Sequence, residues 1–325
     1  LNQLKQEIVH LTHNDCDAVG CMINLHYAFP NSFIQTFHTN YKDLNEKIHD
    51  VLEYIHKHNI KLLVISDVSF AQNKSELLHI QEEVQNKLNI KILYFDHHTY
   101  SDDFFNDITF YYKHDVTKSA TLIINETLNN SINVNLELNK LSKIINDFDI
   151  WVENSKTFKL SLGVNDWFWS ELKYKSIDDV AYNIINNNYK MPKSFLNYFK
   201  EYTNKYELKL KNLKEKQLFV NDGFLALVFT DEYFNEALYE SFHTNNNKMA
   251  LIINSYGIIR IRFSTIDCLE NSEKEKIKFS IMNTLEHGHL NAFSIKVENS
   301  NFEKIMKKVQ ELNQIINENK PDIYK

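Results

Sequence analysis

Glu7–Thr12 reads EIVHLT and runs straight into His13, Asn14, Asp15, Cys16 and Asp17. The same pattern recurs twice downstream. Lys61–Ser66 (KLLVIS) ends at Asp67, and Ile90–Phe95 (IKILYF) ends at Asp96, His97 and His98. Between these runs lie Leu44–His56 and Ser75–Leu88, whose apolar residues fall at three- and four-residue spacing and predict amphipathic helices. Short buried runs alternating with helices predict an α/β domain whose mainly parallel sheet is covered on both faces. The functional crevice of such a sheet opens beyond the carboxyl ends of its strands, and all three polar clusters fall at that end.

Outward from this core the pattern becomes helical. Ala120–Leu128 and Leu136–Ile145 read as helices, and Thr117, Lys118 and Ser119 stand just before the first of them. A hydroxyl there can cap the helix, or the free amides can hold an anion. Pro192 opens a Lys/Glu-rich helical stretch, read as a connector over residues 191–218 that follows a catalytic domain at 1–190. From residue 219 to 325 a second, smaller α/β domain with a mixed sheet is expected. It comprises the strand Phe224–Thr230, a helix at Tyr233–Phe242, a hairpin of Met249–Asn254 with Ile258–Ser264, a helix near Glu273–Leu285, the strand Ala292–Val297 and a last helix Asn301–Asn317.

Composition narrows the function. The 325-residue chain carries a net charge of −7, which argues against a non-specific duplex-DNA binder. Cys16, Cys21 and Cys268 are too few for a disulfide framework. With no long apolar run and no signal-like N-terminus, the expectation is a cytoplasmic protein without a membrane span. Only five glycines occur, so a Gly-rich phosphate loop is not the main device. Of the 36 basic residues only Arg260 and Arg262 are Arg. They lie two apart on one strand face, and the rigid guanidinium fork suits a phosphate as Lys does not.

The strand-end residues, joined by Asp147 and Asp149 of Asn146–Trp151 (NDFDIW), supply several carboxylates and three imidazoles. If they converge, like charges repel unless cations sit among them. Carboxylate and imidazole ligands without thiolate suit Mn²⁺ or a similar divalent ion, and a shared carboxylate is the usual two-metal arrangement.

The ordered set His13-Asn14-Asp15-Cys16-Asp17-Ala18-Val19-Gly20, Asp67, Asp96-His97-His98 and Asp149 resembles the four motifs of the DHH phosphoesterases. Details such as HND-x-D and D-x-W look closest to the nano-RNase (oligoribonuclease) and RecJ-like branch, and the second domain resembles the family's DHHA1 domain. The resemblance covers about residues 7–300 and implies a Rossmann-like N-terminal domain with a two-metal site. His13 and Asp15 would hold one ion, Asp17, His97 and Asp149 the other, with Asp67 bridging. The ions implied are Mn²⁺, or Mg²⁺ or Co²⁺. Asp149 is preferred to Asp147 because Ile150-Trp151 aligns better behind it. His98 matches the residue facing the substrate phosphate, and Asp96 the one that orients it. Arg262, with Arg260 beside it, matches a phosphate grip. Gly288-His289 matches the end of a Gly-rich loop in which Glu286 and His287 depart from the family's glycines. Ser119 is a further candidate for phosphate contact, with helix capping as the alternative.

The expected function is hydrolysis of short single-stranded oligonucleotides or dinucleotides to mononucleotides. A cyclic-dinucleotide phosphodiesterase and a nucleotide-binding module without turnover are the alternatives. Trp151, Trp167, Phe168 and Trp169 could stack bases, although core packing is the commoner use of such a cluster. Cys16 is expected to pack as a small residue.

Overall fold

A computed structural model of the chain describes residues 7–129, 135–216, 220–221, 224–231, 237–238, 241–242, 246–264, 269–282, 292–297 and 301–322. Gly288, His289 and most of the expected helix Tyr233–Phe242 lie outside the described residues. The chain divides into two units, Leu1–Phe199 and Lys200–Lys325.

The first unit is built on five parallel strands: β1 (Glu7–Thr12), β2 (Phe33–His38), β3 (Ile60–Ser66), β4 (Lys91–Asp96) and β5 (Tyr111–His114). Their order is β2-β1-β3-β4-β5. The chain steps outward from β1 to β2 and then crosses back over β1 to lay down β3. The reversal of direction lies between β1 and β3, and a doubly wound sheet opens its crevice at the carboxyl ends of such a pair.

Strand alternation explains why the runs are apolar throughout. Val9, Leu11, Leu63, Ile65, Ile92 and Tyr94 point to one face, where they meet Leu44, Ile48, Val51 and Ile55 of α2 (Leu44–Lys57) and Leu77 and Ile80 of α3 (Lys74–Ile80). Helix α3 continues into a π-helical stretch, Gln81–Lys87. Ile8, Leu62, Val64 and Phe95 point the other way, against Cys21 and Leu25 of α1 (Cys16–Ala28) and Ala120, Ile123 and Ile124 of α4 (Ala120–Ile124). Each aliphatic side chain so buried contributes about 1.5–3 kcal/mol. Beyond α1 lies a helical layer of α5 (Leu136–Asp149), α6 (Phe158–Glu171) and α7 (Ile177–Asn186). Trp151, Trp167 and Phe168 are buried, and only Trp169 of that aromatic group is exposed. Cys16 and Cys21 are buried, free thiols.

Gly20 sets how closely α1 approaches α4. A Cβ there would sit 2.0 Å from Thr121 Oγ1 and 2.9 Å from Ile145 Cδ1. Thr121 cannot withdraw, because its hydroxyl donates to the carbonyl of Asp17 at 2.8 Å. Gly20→Ala is therefore expected to destabilise the fold by about 1–3 kcal/mol through overpacking, read as a lower midpoint in chemical denaturation.

Helix α8 (Lys193–Lys216) spans the point at which the two units divide. The second unit holds a mixed sheet of β6 (Val220–Asn221), β7 (Leu225–Phe229), β8 (Met249–Ile253), β9 (Ile258–Phe263) and β10 (Ala292–Lys296), in the order β10-β9-β8-β7-β6. The β8–β9 hairpin turns at Gly257, whose φ of 79° is open to glycine at little cost. One sheet face packs Leu251, Ile259, Ile261 and Phe263 against the helices Asn271–Met282 and Phe302–Asn319 through Ile277, Val309 and Leu312. This is the α/β architecture expected from the sequence: a parallel sheet followed by a separate mixed one.

Candidate metal centre

The backbone delivers each expected strand-end residue to the carboxyl edge of the first sheet. His13 follows β1 directly. Asp15 then caps α1, its side chain accepting from the Ala18 amide at 3.1 Å. Asp67 follows β3 with φ 54°, a left-handed conformation that a short Asp side chain tolerates. Asp96 ends β4, with His97 and His98 next, and Asp149 is the last residue of α5.

These residues, far apart in sequence, converge. The ligand atoms of His13, Asp15 and Asp67 lie within 4.8 Å of one another, as do those of Asp17, His97 and Asp149, and those of Asp67, His97 and His98. Asp67 is common to two of these groups: Oδ2 is 3.8 Å from His13 Nδ1, and Oδ1 is 3.2 Å from His97 Nε2. Asp149 Oδ2 stands 3.4 Å from His97 Nε2 on the other side. Asp147, the competing candidate, takes hydrogen bonds from the hydroxyls of Ser155 and Thr157 instead.

The protonation pattern reflects crowding. Burial and the charges of Asp15, Asp17 and Asp149 push Asp67 well above the usual carboxylate range. Burial, Asp17 and Asp15 do the same to Asp149. Burial and Asp15 push Asp17 up to about 6. Burial would raise Asp15 as well, but the hydrogen bond and charge of His13 and the Ala18 amide bring it down to about 2. Burial, with His98 alongside, lowers His97 to about 3, which keeps it a neutral potential ligand. Asp67 Oδ2 and Asp149 Oδ2 are buried and accept no hydrogen bond among the described residues. Buried carboxylate oxygens without donors carry a large desolvation cost. A divalent cation removes that cost, so the donor set fits hard or borderline ions.

Around this cluster a second layer is built on Asp96. His98 Nδ1 lies 2.8 Å from Asp96 Oδ1, and Tyr41 Oη lies 2.7 Å from His98 Nε2. Asp96 Oδ2 accepts from the Tyr100 hydroxyl and lies 3.3 Å from that of Tyr94, which donates to the Val68 carbonyl at 2.8 Å. Burial would raise Asp96, but the charge and hydrogen bond of His98 hold it below its ordinary value. Burial and the charges of Asp67 and Asp96 push the Tyr41 phenol upward.

Ser119 is placed differently from the phosphate contact weighed in the sequence. It is wholly buried, caps α4 through Leu122, and its own amide donates to Asn146. The neighbouring amides of Ala120 and Thr121 donate to Asp17 at 2.9 and 3.1 Å. The anion at this helix start is thus Asp17 itself, and Ser119 acts as a cap. On β9, Arg260 and Arg262 alternate with the core residues Ile259, Ile261 and Phe263 and take the opposite sheet face. Arg262 pairs with Ala250 and Ala292, small neighbours on either side. Burial, with Arg260 nearby, lowers the Arg262 guanidinium to about 10.

Three features have little trace in the sequence. Tyr41 is one of 17 tyrosines and sits in a loop after β2. Tyr94 and Tyr100 serve Asp96, and only Tyr94, two residues before it on the same strand, is signalled by alternation. His10 is buried in β1, with Nε2 2.8 Å from Ser66 Oγ.

Among the described residues no helix is long and apolar enough to cross a membrane. No family model matches the chain, and no curated protein matches it in sequence. Among solved structures, exonuclease RecJ bound to manganese is similar with a TM-score of 0.50 at 12% identity, over 94% of this chain and 89% of that one. An uncharacterized protein from Helicobacter pylori G27 gives 0.48 at 18% identity, over 95% and 99%. CDC45 from Entamoeba histolytica gives 0.49 at 11% identity, over 95% of each chain. The chain shares the fold of exonuclease RecJ, in agreement with the RecJ-like architecture that its motifs imply, and at these identities the likeness is one of architecture alone.

Proposed function

We propose that this chain is a metal-dependent phosphodiesterase of the DHH type that hydrolyses short single-stranded oligonucleotides or dinucleotides to mononucleotides. The observation that carries this reading is the pair of three-residue groups, His13, Asp15, Asp67 and Asp17, His97, Asp149, with Asp67 positioned toward both and two buried carboxylate oxygens lacking donors among the described residues. In this reading His13 and Asp15 hold one ion, Asp17, His97 and Asp149 the other, and Asp67 is shared. Mn²⁺ suits the mixed donor set, and a solved structure that shares this fold is an exonuclease bound to manganese.

When bound, a pair of divalent ions supplies Lewis-acid stabilisation of the phosphoryl oxygens and lowers the pKa of water. The protein's own residues do the rest. Asp96, locked by Tyr94 and Tyr100, fixes the ring of His98, and His98 faces the substrate phosphate. Arg262, with Arg260, is read as the phosphate grip of a DHHA1-like second unit; Gly288 and His289, which the resemblance adds to that grip, lie outside the described residues. The nano-RNase branch is favoured because a net charge of −7 opposes long polyanions, whereas a dinucleotide needs only a local basic patch.

The test is a product time course on labelled RNA and DNA from dinucleotides to about decamers, with and without chelator. Mononucleotides are expected from the shortest substrates, with no turnover in chelator and recovery in Mn²⁺ rather than Ca²⁺. Tight nucleotide binding without turnover in Mn²⁺ would replace the enzyme with a binding module, and faster cleavage of cyclic dinucleotides would reassign the substrate. Arg262→Ala is expected to raise KM by about 30-fold or more while kcat changes little, because it removes a charged contact to the substrate. Unchanged KM would remove Arg262 from the pocket.

A further inference from the structure

Carboxylate ligands hold metal ions but offer nothing to the base of a nucleotide. Of the aromatic residues weighed for stacking in the sequence, Trp151, Trp167 and Phe168 are buried. At the candidate metal centre an exposed ring comes instead from Tyr41, in the short loop between β2 and α2, at 54% exposure. A lone exposed tyrosine is ordinary on a protein surface, but this one is held in place. The Thr39 amide donates to the Thr12 carbonyl at 2.9 Å, and His38 Nδ1 lies 3.2 Å from the His13 carbonyl. The loop is thus tied twice to the end of β1.

The side chain is tied as well. Its hydroxyl lies 2.7 Å from Nε2 of His98, which is 6% exposed. That bond forms whichever partner holds the hydrogen. The polar end is turned into the site, so the exposed surface is that of the ring. The ring centroid stands 5.5 Å from that of His13 and 6.2 Å from that of His98, with interplanar angles of 42° and 86°. Neither ring is parallel to it, so among the described residues no ring is stacked on its face. A tyrosine has few torsions to immobilise, and here loop and hydroxyl are already fixed, so a planar ligand stacks on it at low entropic cost.

We propose that Tyr41 is the platform on which a base of the substrate stacks, and that it makes the site selective for nucleotides over phosphodiesters without bases. The proposal rests on the phosphodiesterase reading above. In that reading His98 faces the substrate phosphate, and a base hangs one sugar away from its phosphate. The Tyr41 ring flanks His98 on the solvent side, where that base would lie. Every base has a π-face, so one such platform accepts any base with little preference.

The experiment compares wild type with Tyr41→Leu, which keeps apolar bulk without a π-face, and Tyr41→Phe, which keeps the face without its tether. Two substrates are used in Mn²⁺: a dinucleotide, and the same sugar–phosphate skeleton with both bases replaced by hydrogen. On the dinucleotide Tyr41→Leu is expected to lower kcat/KM about 10-fold or more, chiefly through KM, and Tyr41→Phe about 3-fold. On the skeleton the three proteins are expected to agree within about 2-fold. Mn²⁺ affinity by calorimetry is expected to be the same in all three. No loss on the dinucleotide, an equal loss on both substrates, a Tyr41→Phe loss as large as that of Tyr41→Leu, or weaker Mn²⁺ binding by Tyr41→Leu would overturn the platform. Wild-type protein that binds Mn²⁺ but hydrolyses neither substrate would overturn the phosphodiesterase reading instead. Dissociation constants of the same two ligands in Ca²⁺ then decide the platform by the same differences.

Discussion

Asp67→Asn is expected to lower turnover about a thousand-fold or more while making the metal-free protein harder to unfold. The loss of activity follows from position: Asp67 faces both His13 and His97, so removing its charge weakens both halves of the cluster at once. The gain in stability follows from crowding. Burial and four neighbouring carboxylates oppose ionisation of Asp67, and its Oδ2 is buried without a donor among the described residues. Asn is neutral, nearly isosteric and at ease at the φ of 54° found there, so the backbone need not move. Thermal unfolding in chelator and in Mn²⁺ measures both effects. The expected pattern is a higher midpoint than wild type without metal, and a much smaller rise when Mn²⁺ is added. A variant that keeps wild-type turnover, or whose midpoint responds to Mn²⁺ as fully as the wild type does, would sink the metal-centre reading.

The stability of the metal-free protein is expected to fall as pH rises above about 6.5, and saturating Mn²⁺ is expected to flatten that dependence. The sign follows from linkage. Asp17, Asp67 and Asp149 all have folded-state pKa values above their ordinary range. Between the unfolded carboxyl value of about 3.9 and these raised values the native state binds more protons at these three groups than the unfolded state, so their contribution to stability declines with pH. Asp17, pushed up to about 6, completes its share of the decline, roughly 3 kcal/mol, by about pH 6, and Asp67 and Asp149, raised well above the carboxylate range, carry the decline beyond it. Asp15 works oppositely at lower pH, with a folded value of about 2, and His97, lowered to about 3, and His10, also held down by burial, work oppositely up to the unfolded histidine value of about 6.5. Bound cations favour the ionised carboxylates and remove the proton excess. Urea denaturation at about pH 7 and 9, with and without Mn²⁺, reads the difference directly. A metal-free protein whose stability rises over this range would show that the carboxylates are compensated within the chain itself.

Legibility in the sequence followed the range of the interactions. The parallel sheet could be read because Glu7–Thr12, Lys61–Ser66 and Ile90–Phe95 are buried on both faces and are therefore apolar at successive positions. The edge strands were harder. Tyr111–His114 is mostly exposed, and Phe33–His38 only partly buried, so neither carries a strong pattern. The same holds for the site. The motif residues stand where strands end, and a strand end is a local event. Which side chain would answer which was not local: Asp149 meets His97 while Asp147 turns to Ser155 and Thr157, only two residues apart on one helix.

From sequence alone came the strand-end placement of His13, Asp67 and Asp96-His97-His98, and the isolation of Arg260 and Arg262 as the chain's only guanidinium groups. These are properties of alternation and composition, which the chain carries before it folds. Tertiary structure decided that Asp17 would serve as the anion of a helix start opposite Ser119, that Asp67 would lie between two groups, and that Tyr41 would stand over His98. Each of these depends on an approach between segments dozens of residues apart. Such an approach is set by the strand order and by close contacts like that of Gly20 with Thr121, and no local pattern of residues encodes it.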